Sequence, residues 1–340
     1  MQPCQKDNRS FFEKLQNAEG LDLRDNRGKR HDLAIVLVGV TLALLSHRDG
    51  SLSSIHRHLK NHYERLMTAL SVEAKSAVSR AQLPRVLEKV SVEVFDGLLF
   101  ESFGVKLNSA ERKWFAVDGK ELRGSIASGA KRGEAVVQAI EHETLQVQSQ
   151  TYYSGNKESE VAAVRQLLKE NDLCAEKISL DALHCKPLSL EPIAEAGGIY
   201  LVGLKENQKE MFLEVQEMVR QRPSLWETES LEKGHGRIEQ RKYQVYDIAN
   251  IYQDERWDKC QIQRAVKVKR QRVEIRSGKQ SVETSYYLSN ERTKLSELCS
   301  AVRKHWSVET NNHIRDVTLR EDQLRVKKRI QIEFWQGCEH

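Results

Sequence analysis

Apolar and polar positions alternate along the chain in two regimes. From Leu21 to about Val94 the apolar residues recur at helical spacing. An apolar helix starts at Asp32, a polar turn HRDGSLSSI follows, and a second helix runs through Arg57, Tyr63 and Leu70, with Ser51 and Ser53 suited to cap the turn. A third helix over Arg80 to Phe100 places Leu83, Val86, Leu87, Val90, Val94 and Leu98 on one face. Residues 1–100 are therefore expected to form a small all-helical unit.

Beyond Gly104 short strand patterns take over. Lys113–Val117, Ala135–Ile140 and Leu145–Tyr153 read as three successive strands. They precede a helix over Glu158–Glu170, a strand Lys177–Leu180, a helix near Leu190–Ala196 and a strand Ile199–Leu204. Three strands, then helix, strand, helix, strand predicts an α/β domain with a mixed sheet, over residues 101–340, in the order of a ribonuclease-H-like core. After a helix to about Arg220 the rhythm breaks into strands Ile238–Ile248, Gln261–Arg270 and Ser281–Leu288, a β-rich insertion over about 221–291. A helical pattern resumes from Leu295 to about Val317.

Composition narrows the classes. At 340 residues, with 39% hydrophobic and 30% charged positions, the chain has material for two globular domains and is neither a disordered tail nor a collagen. Six scattered cysteines form no CxxC pair, so neither a zinc ribbon nor a disulfide framework can be read from them. The N-terminus carries no signal-peptide core, and the most apolar run, Leu33–Leu45, is shorter than a membrane span. A cytoplasmic protein is expected. The net charge of +5 is unevenly placed: residues 231–280 hold 13 Lys+Arg against 7 Asp+Glu, and residues 301–330 hold 8 against 4.

Three carboxylates stand out. Asp118 ends the strand KWFAV and Asp181 ends KISL, both at the C-terminal edge where open α/β sheets bind ligands. Two such acids on neighbouring strands suit Mg²⁺; alternatively each caps the turn that follows it. Glu309, in the helical segment RKHWSVETNNHIRD, can complete a three-acid cluster if that helix crosses the sheet, or else pair with Arg303 or Arg315.

Local motifs add what spacing leaves open. AVDGKELRGS (116–125), SLDALHCK (179–186), YLVGLKENQ (200–208), EKGHGRIEQR (232–241) and RKHWSVETNNHIRDVTLRED (303–322) resemble, in this order, the motifs of insertion-sequence transposases of the DDE superfamily, of the H-repeat-associated kind. DLRDNRGKRHDLAIVLVGVTLALL resembles the helical N-terminal domain that accompanies them. The resemblance implies Asp118, Asp181 and Glu309 as the catalytic, metal-holding triad, with two Mg²⁺ ions for which Mn²⁺ can substitute. It also implies cleavage at element ends and strand transfer into target double-stranded DNA, a homodimer on the DNA, and a place in the bacterial cytoplasm at the nucleoid.

Residues around the triad are candidates for DNA contact. Lys120 and Arg123 follow the first acid, and Lys205, Asn207 and Gln208 follow a core strand, though a solvated turn and, for Asn207, a helix cap compete. His235 and Arg237 open the inserted strands, with a plain β-turn as the competing account. Trp306 suits stacking on DNA or a place in the core, and Lys267 and Lys269 belong to a basic strand. His184 and Cys185 lack the further partners a zinc site needs. The chain ends at His340 soon after Arg320–Asp322, where the family usually continues, so the alternative expectation is a truncated remnant that binds DNA without cutting it.

Overall fold

The computed structural model describes residues 9–46, 51–73, 76–103, 112–122, 126, 133–154, 157–249 and 254–313. Its first helix, α1 (Phe11–Asn17), opens on a reciprocal cap: the Ser10 hydroxyl accepts from the Glu13 N–H while the Glu13 carboxylate accepts from the Ser10 N–H. The apolar run forms α2 (Leu33–Ser46), capped by Asp32, with ten of its 14 residues buried. That burial explains a helix apolar on all sides. No helix among the described residues is long and apolar enough to cross a membrane.

The next two expected helices each divide. The second becomes α3 (Leu52–Asn61), capped by Ser51, and α4 (Tyr63–Leu70), with the break at His62. The third becomes α5 (Leu83–Leu87) and α6 (Val92–Phe103). Between them Leu23 N–H donates to Lys89 O and Ser91 N–H to Leu21 O, so pairing with the 21–23 segment replaces the helical bonds. The core of these helices, including Leu37, Ile55, Leu83 and Phe95, runs on into Leu122 and Val136 of the sheet that follows.

One nine-stranded sheet dominates the rest. β1 (Trp114–Glu121), β2 (Glu134–Glu141) and β3 (Val147–Ser154) form an antiparallel meander. β4 (Lys177–Leu180) and β5 (Ile199–Leu204) add in parallel on the other side of β1, after α7 (Lys157–Glu170) and α8 (Pro187–Glu195). Past α9 (Lys209–Gln221), four antiparallel strands follow: β6 (Trp226–Gly234), β7 (Arg237–Asp247), β8 (Arg264–Glu274) and β9 (Gln280–Ser289). β9 pairs with β5, so the β-rich segment continues the same sheet. β6, absent from the sequence reading, is one of the two edge strands; its WETESLEKG pattern is largely polar because little of it is covered.

The sheet is sandwiched. α7, α8 and α9 cover one face, packing Val164, Leu190 and Val215 on Phe115, Val117, Leu180 and Val202. The opposite face receives α10 (Leu295–His305) through Leu298 and Val302, and α11 (Ser307–His313) through Val308. The single helix expected over 295–317 thus divides at Trp306, and its last residues lie outside the described part. The architecture is α/β with a mixed sheet, compatible with a ribonuclease-H-like core.

Candidate active site

Strand alternation decides where the acids lie. In β1, Phe115 and Val117 enter the core beneath α7 and α8, whereas Ala116 packs on Val308 of α11. Asp118 follows Ala116 on the α11 face. In β4, Ile178 and Leu180 face α7, and Ser179 meets His305 of α10, so Asp181 is the next residue on that same face. The registers Val117↔Leu180 and Leu180↔Val202 align Asp118, Asp181 and Gly203 in a row across three strands, and Gly203↔Tyr287 continues it.

Asp118 does not end its strand, as the sequence reading expected. β1 runs on to Glu121, because Asp118↔Gln138 to Glu121↔Ala135 keep pairing with β2 after β4 has turned away. The polar Gly119 and Lys120 hid this extension. Asp181 directly follows β4, and its Oδ1 accepts from Leu183 N–H at 2.8 Å, the capping role foreseen as an alternative. The turn after it folds against Gly203, where an added Cβ would lie 3.0 Å from the backbone nitrogen of Ala182. Asn207 Nδ2 donates to Ala182 O at 2.7 Å and Gln208 Nε2 to Cys185 O at 2.8 Å, so both amides brace the Asp181 turn.

A second acid cluster was not foreseen. Glu160 of α7 accepts from Tyr153 Oη at 3.0 Å and lies 3.5 Å from His184 Nε2, which is 3.8 Å from Asp181 Oδ1. Gly119 makes room: a Cβ there would fall 2.7 Å from the Glu160 carboxyl carbon. Burial, then the negative charges of Asp181 and Glu160, push Asp118 up to about 7; the Gly119 N–H and His184 partly oppose this. The helical pattern of α7 concealed Glu160, since only the fold sets its first turn beside β1. Cys185 is core, its thiol pushed up to about 12 by burial.

Glu309 is exposed on α11, one residue beyond the buried Val308. Its charge helps raise the Tyr287 hydroxyl to about 12, after the larger effect of burial. The Asp118–Asp181 pair is an oxygen-only donor set whose repulsion a divalent cation would relieve, so it fits Mg²⁺. Among the described residues no three His, Cys, Asp or Glu side chains converge to hold a metal.

The basic candidates scatter. Lys120 is buried in β1, Lys205 is exposed at the head of the 206–208 turn, and Arg123 lies outside the described residues. His235 and Gly236, with φ of 49° and 71°, form the two-residue loop of the β6–β7 hairpin. Arg237 Nε lies 2.6 Å from the buried Glu239, which also gathers Arg241 and Arg272. On β8, Lys267 and Lys269 share the α9 face with Ala265, while Arg270 and Arg272 share the α10 face with Val266 and Val268. There Arg270 lies 5.5 Å above the ring of Trp306, which is 43% exposed.

The pattern of the family described as "Transposase DDE domain" matches residues 109–335. The chain belongs to this family. Two relatives carry related names. "H repeat-associated putative transposase YhhI" of Escherichia coli K12 is 28% identical over 243 residues, covering 68% of this chain and 64% of its own length. "Putative transposase YncI" of Escherichia coli O157:H7 is 26% identical over 265 residues, covering 75% of this chain and 67% of its own. The chain therefore spans just under two thirds of the length of the first. Asp118, Asp181 and Glu309 all fall within the matched DDE stretch, and the helices α1 to α6 precede it.

Proposed function

We propose that this protein is a DNA transposase that cleaves the ends of an insertion sequence and joins the freed ends to target DNA. The observation that carries the reading is the register that sets Asp118 of β1 beside Asp181, the residue that follows the adjacent parallel strand β4, with burial and its acidic neighbours pushing the Asp118 carboxyl up to about 7. Asp118 and Asp181 would hold Mg²⁺, or Mn²⁺, and Glu309, next to the Val308 that seats α11 on the sheet, would complete the set. When bound, such ions lower the pKa of a nucleophilic water and neutralise charge on the phosphodiester. The reaction is hydrolysis of a phosphodiester at the element end, followed by attack of the freed 3′ hydroxyl on target DNA.

The chain's own contribution is placement. The 182–185 turn, braced by Asn207 and Gln208, fixes the backbone that carries Asp181. Trp306 and Arg270, with Arg241 and Arg303 around the same shallow depression, offer stacking and phosphate contacts. Each of these arginines also meets a glutamate, Glu283 for Arg270 and Glu232 for Arg241 and Arg303. The free positive charge is accordingly smaller than the sequence windows suggest. We infer a ribonuclease-H-like catalytic domain over 101–340, a helical accessory domain over 1–100, and a homodimer on DNA, because two ends must be joined.

A second reading, a protein that binds element ends without cutting them, is favoured by the finding that no three acidic, histidine or cysteine side chains among the described residues converge on one metal position. One experiment separates the two. Purified protein is incubated with labelled duplex carrying the inverted repeats that flank the gene, with Mg²⁺ or Mn²⁺. Transposase activity predicts end nicking that Asp118→Asn, Asp181→Asn and Glu309→Gln each abolish while binding persists. Binding without nicking under either metal overturns the reading.

A further inference from the structure

The residues of β4 that face α10 alternate in what they do. Lys177 Nζ pairs with Glu297 Oε2 at 2.6 Å in the first turn of the helix. Two residues on, Ser179 Oγ lies 2.9 Å from Nδ1 of His305, the last residue of α10. Two residues further is Asp181. The strand that presents one acid is thus fastened along its length to the helix that leads into α11 and Glu309.

Ser179 is the centre of a buried cluster. Its hydroxyl, in a residue 1% exposed, also meets His142 Nε2 at 2.9 Å and Phe115 O at 3.4 Å. One hydrogen and two lone pairs meet three groups, so the hydroxyl is saturated. His142 sits just past β2, its ring stacked on Trp114 with centroids 5.9 Å apart. Its Nδ1 has no partner among the described residues, which leaves Ser179 as the one polar contact of that ring. Burial holds both imidazoles neutral, His142 down at about 3 and His305 at about 4. Neutral rings suit a hydroxyl partner in the dry space under α10.

The helix beyond this cluster needs such a fastening. α11 is seven residues long, too short to hold its own shape in water. Val308 is its buried apolar anchor. With Val308 as the one buried apolar side chain among the described residues of α11, so short a helix can pivot about it, and Glu309 stands next to that pivot.

We propose that Ser179, with His142 and His305, is a positioning cluster that sets the orientation of α11 and hence of Glu309 against Asp118 and Asp181. The proposal rests on the transposase reading for its purpose, but its mechanical core is independent of it. None of the three side chains touches substrate. They act through the α10–α11 junction, and Ser179 does so from the strand that ends in Asp181.

The test uses the full chain. In Ser179→Ala, the amides of residues 305–313 are expected to exchange with deuterium about tenfold faster, without metal or DNA, while those of β4 and β5 stay protected. With DNA, the Mg²⁺ concentration for half-maximal nicking is expected to rise about tenfold, as for loss of an outer partner that orients a ligand. Binding of the duplex stays within twofold. Two rescue pairs give atom-level specificity. His305→Asn places an amide near the position of Nδ1 and retains slow exchange, whereas His305→Gln does not; His142→Gln mimics Nε2 and retains it, whereas His142→Asn does not. Should Ser179→Ala lower protection everywhere, or melt before the assay, the two histidine pairs still decide.

Unchanged exchange over 305–313 in Ser179→Ala, or equal behaviour within both rescue pairs, overturns the positioning cluster. Nicking that survives Asp118→Asn and Glu309→Gln overturns the transposase site instead, leaving the exchange result to judge the cluster.

Discussion

Removing the charge of Asp118 should stabilise the metal-free protein, and the gain should grow with pH. Its carboxyl titrates at about 7 in the fold against an ordinary 3.8, because burial, Asp181 and Glu160 disfavour the anion. Below pH 3.8 both folded and unfolded chains hold the proton and the group contributes nothing. As pH rises from there, the unfolded chain releases the proton while the native one retains it, so stability falls until about pH 7 and then levels. At 1.36 kcal/mol per pH unit, the full cost is about 4 kcal/mol.

Asp118→Asn keeps the shape and removes the ionisation. Thermal melts in EDTA at pH 4, 6 and 8 should show a near-zero difference at pH 4 and the largest increase in Tm at pH 8. Mg²⁺ should then raise the Tm of the native protein and leave the variant unmoved, since binding to the folded state stabilises it by mass action. A variant equal to or less stable than the parent at pH 8 in EDTA would refute the crowding of these acids.

Other perturbations follow from single contacts. Gly203→Ala should lower Tm and slow nicking with DNA affinity unchanged, since the new Cβ would meet the Ala182 backbone 3.0 Å away and push the Asp181 turn outward; calorimetry and a gel assay read both. Val308→Ala, removing two buried methyl groups from the α11 contact with Ala116, Ile140 and Val147, should cost about 2 kcal/mol in urea unfolding and slow nicking with binding retained. Glu239→Ala would leave Arg237, Arg241 and Arg272 without their shared buried carboxylate, a loss of about 3 kcal/mol measurable by urea unfolding. An unchanged urea midpoint in that variant would mean that the arginines find other partners.

Legibility in the sequence varied with how local the cause was. Ile199–Leu204 was readable to the residue because a buried parallel strand is an apolar run between turn signals, and Lys177–Leu180 because Lys177 and Ser179 alternate with Ile178 and Leu180. Asp32 and Ser51 were readable as starts because a cap acts on its own next turn. β6 was not, since an edge strand covered on little of its surface need not alternate apolar residues. The break at 88–91 also escaped, because a backbone bond to Leu21 and Leu23 cannot be seen in the local pattern.

The same division runs through the site. The family was legible along the chain, as were Asp118, Asp181 and Glu309 as candidate acids and the strand patterns next to the first two, since these are statements about neighbours in sequence. Only the tertiary structure decided that Asp118 continues inside β1, that Lys267 and Lys269 face away from it, and that Glu160, His184 and Tyr153 join the acids. It also decided that Ser179 ties His142 to His305, over separations of 37 and 126 residues. Such facts depend on strand register and on which face a helix covers. Those are fixed by burial across the whole sheet, which no local stretch of the chain contains.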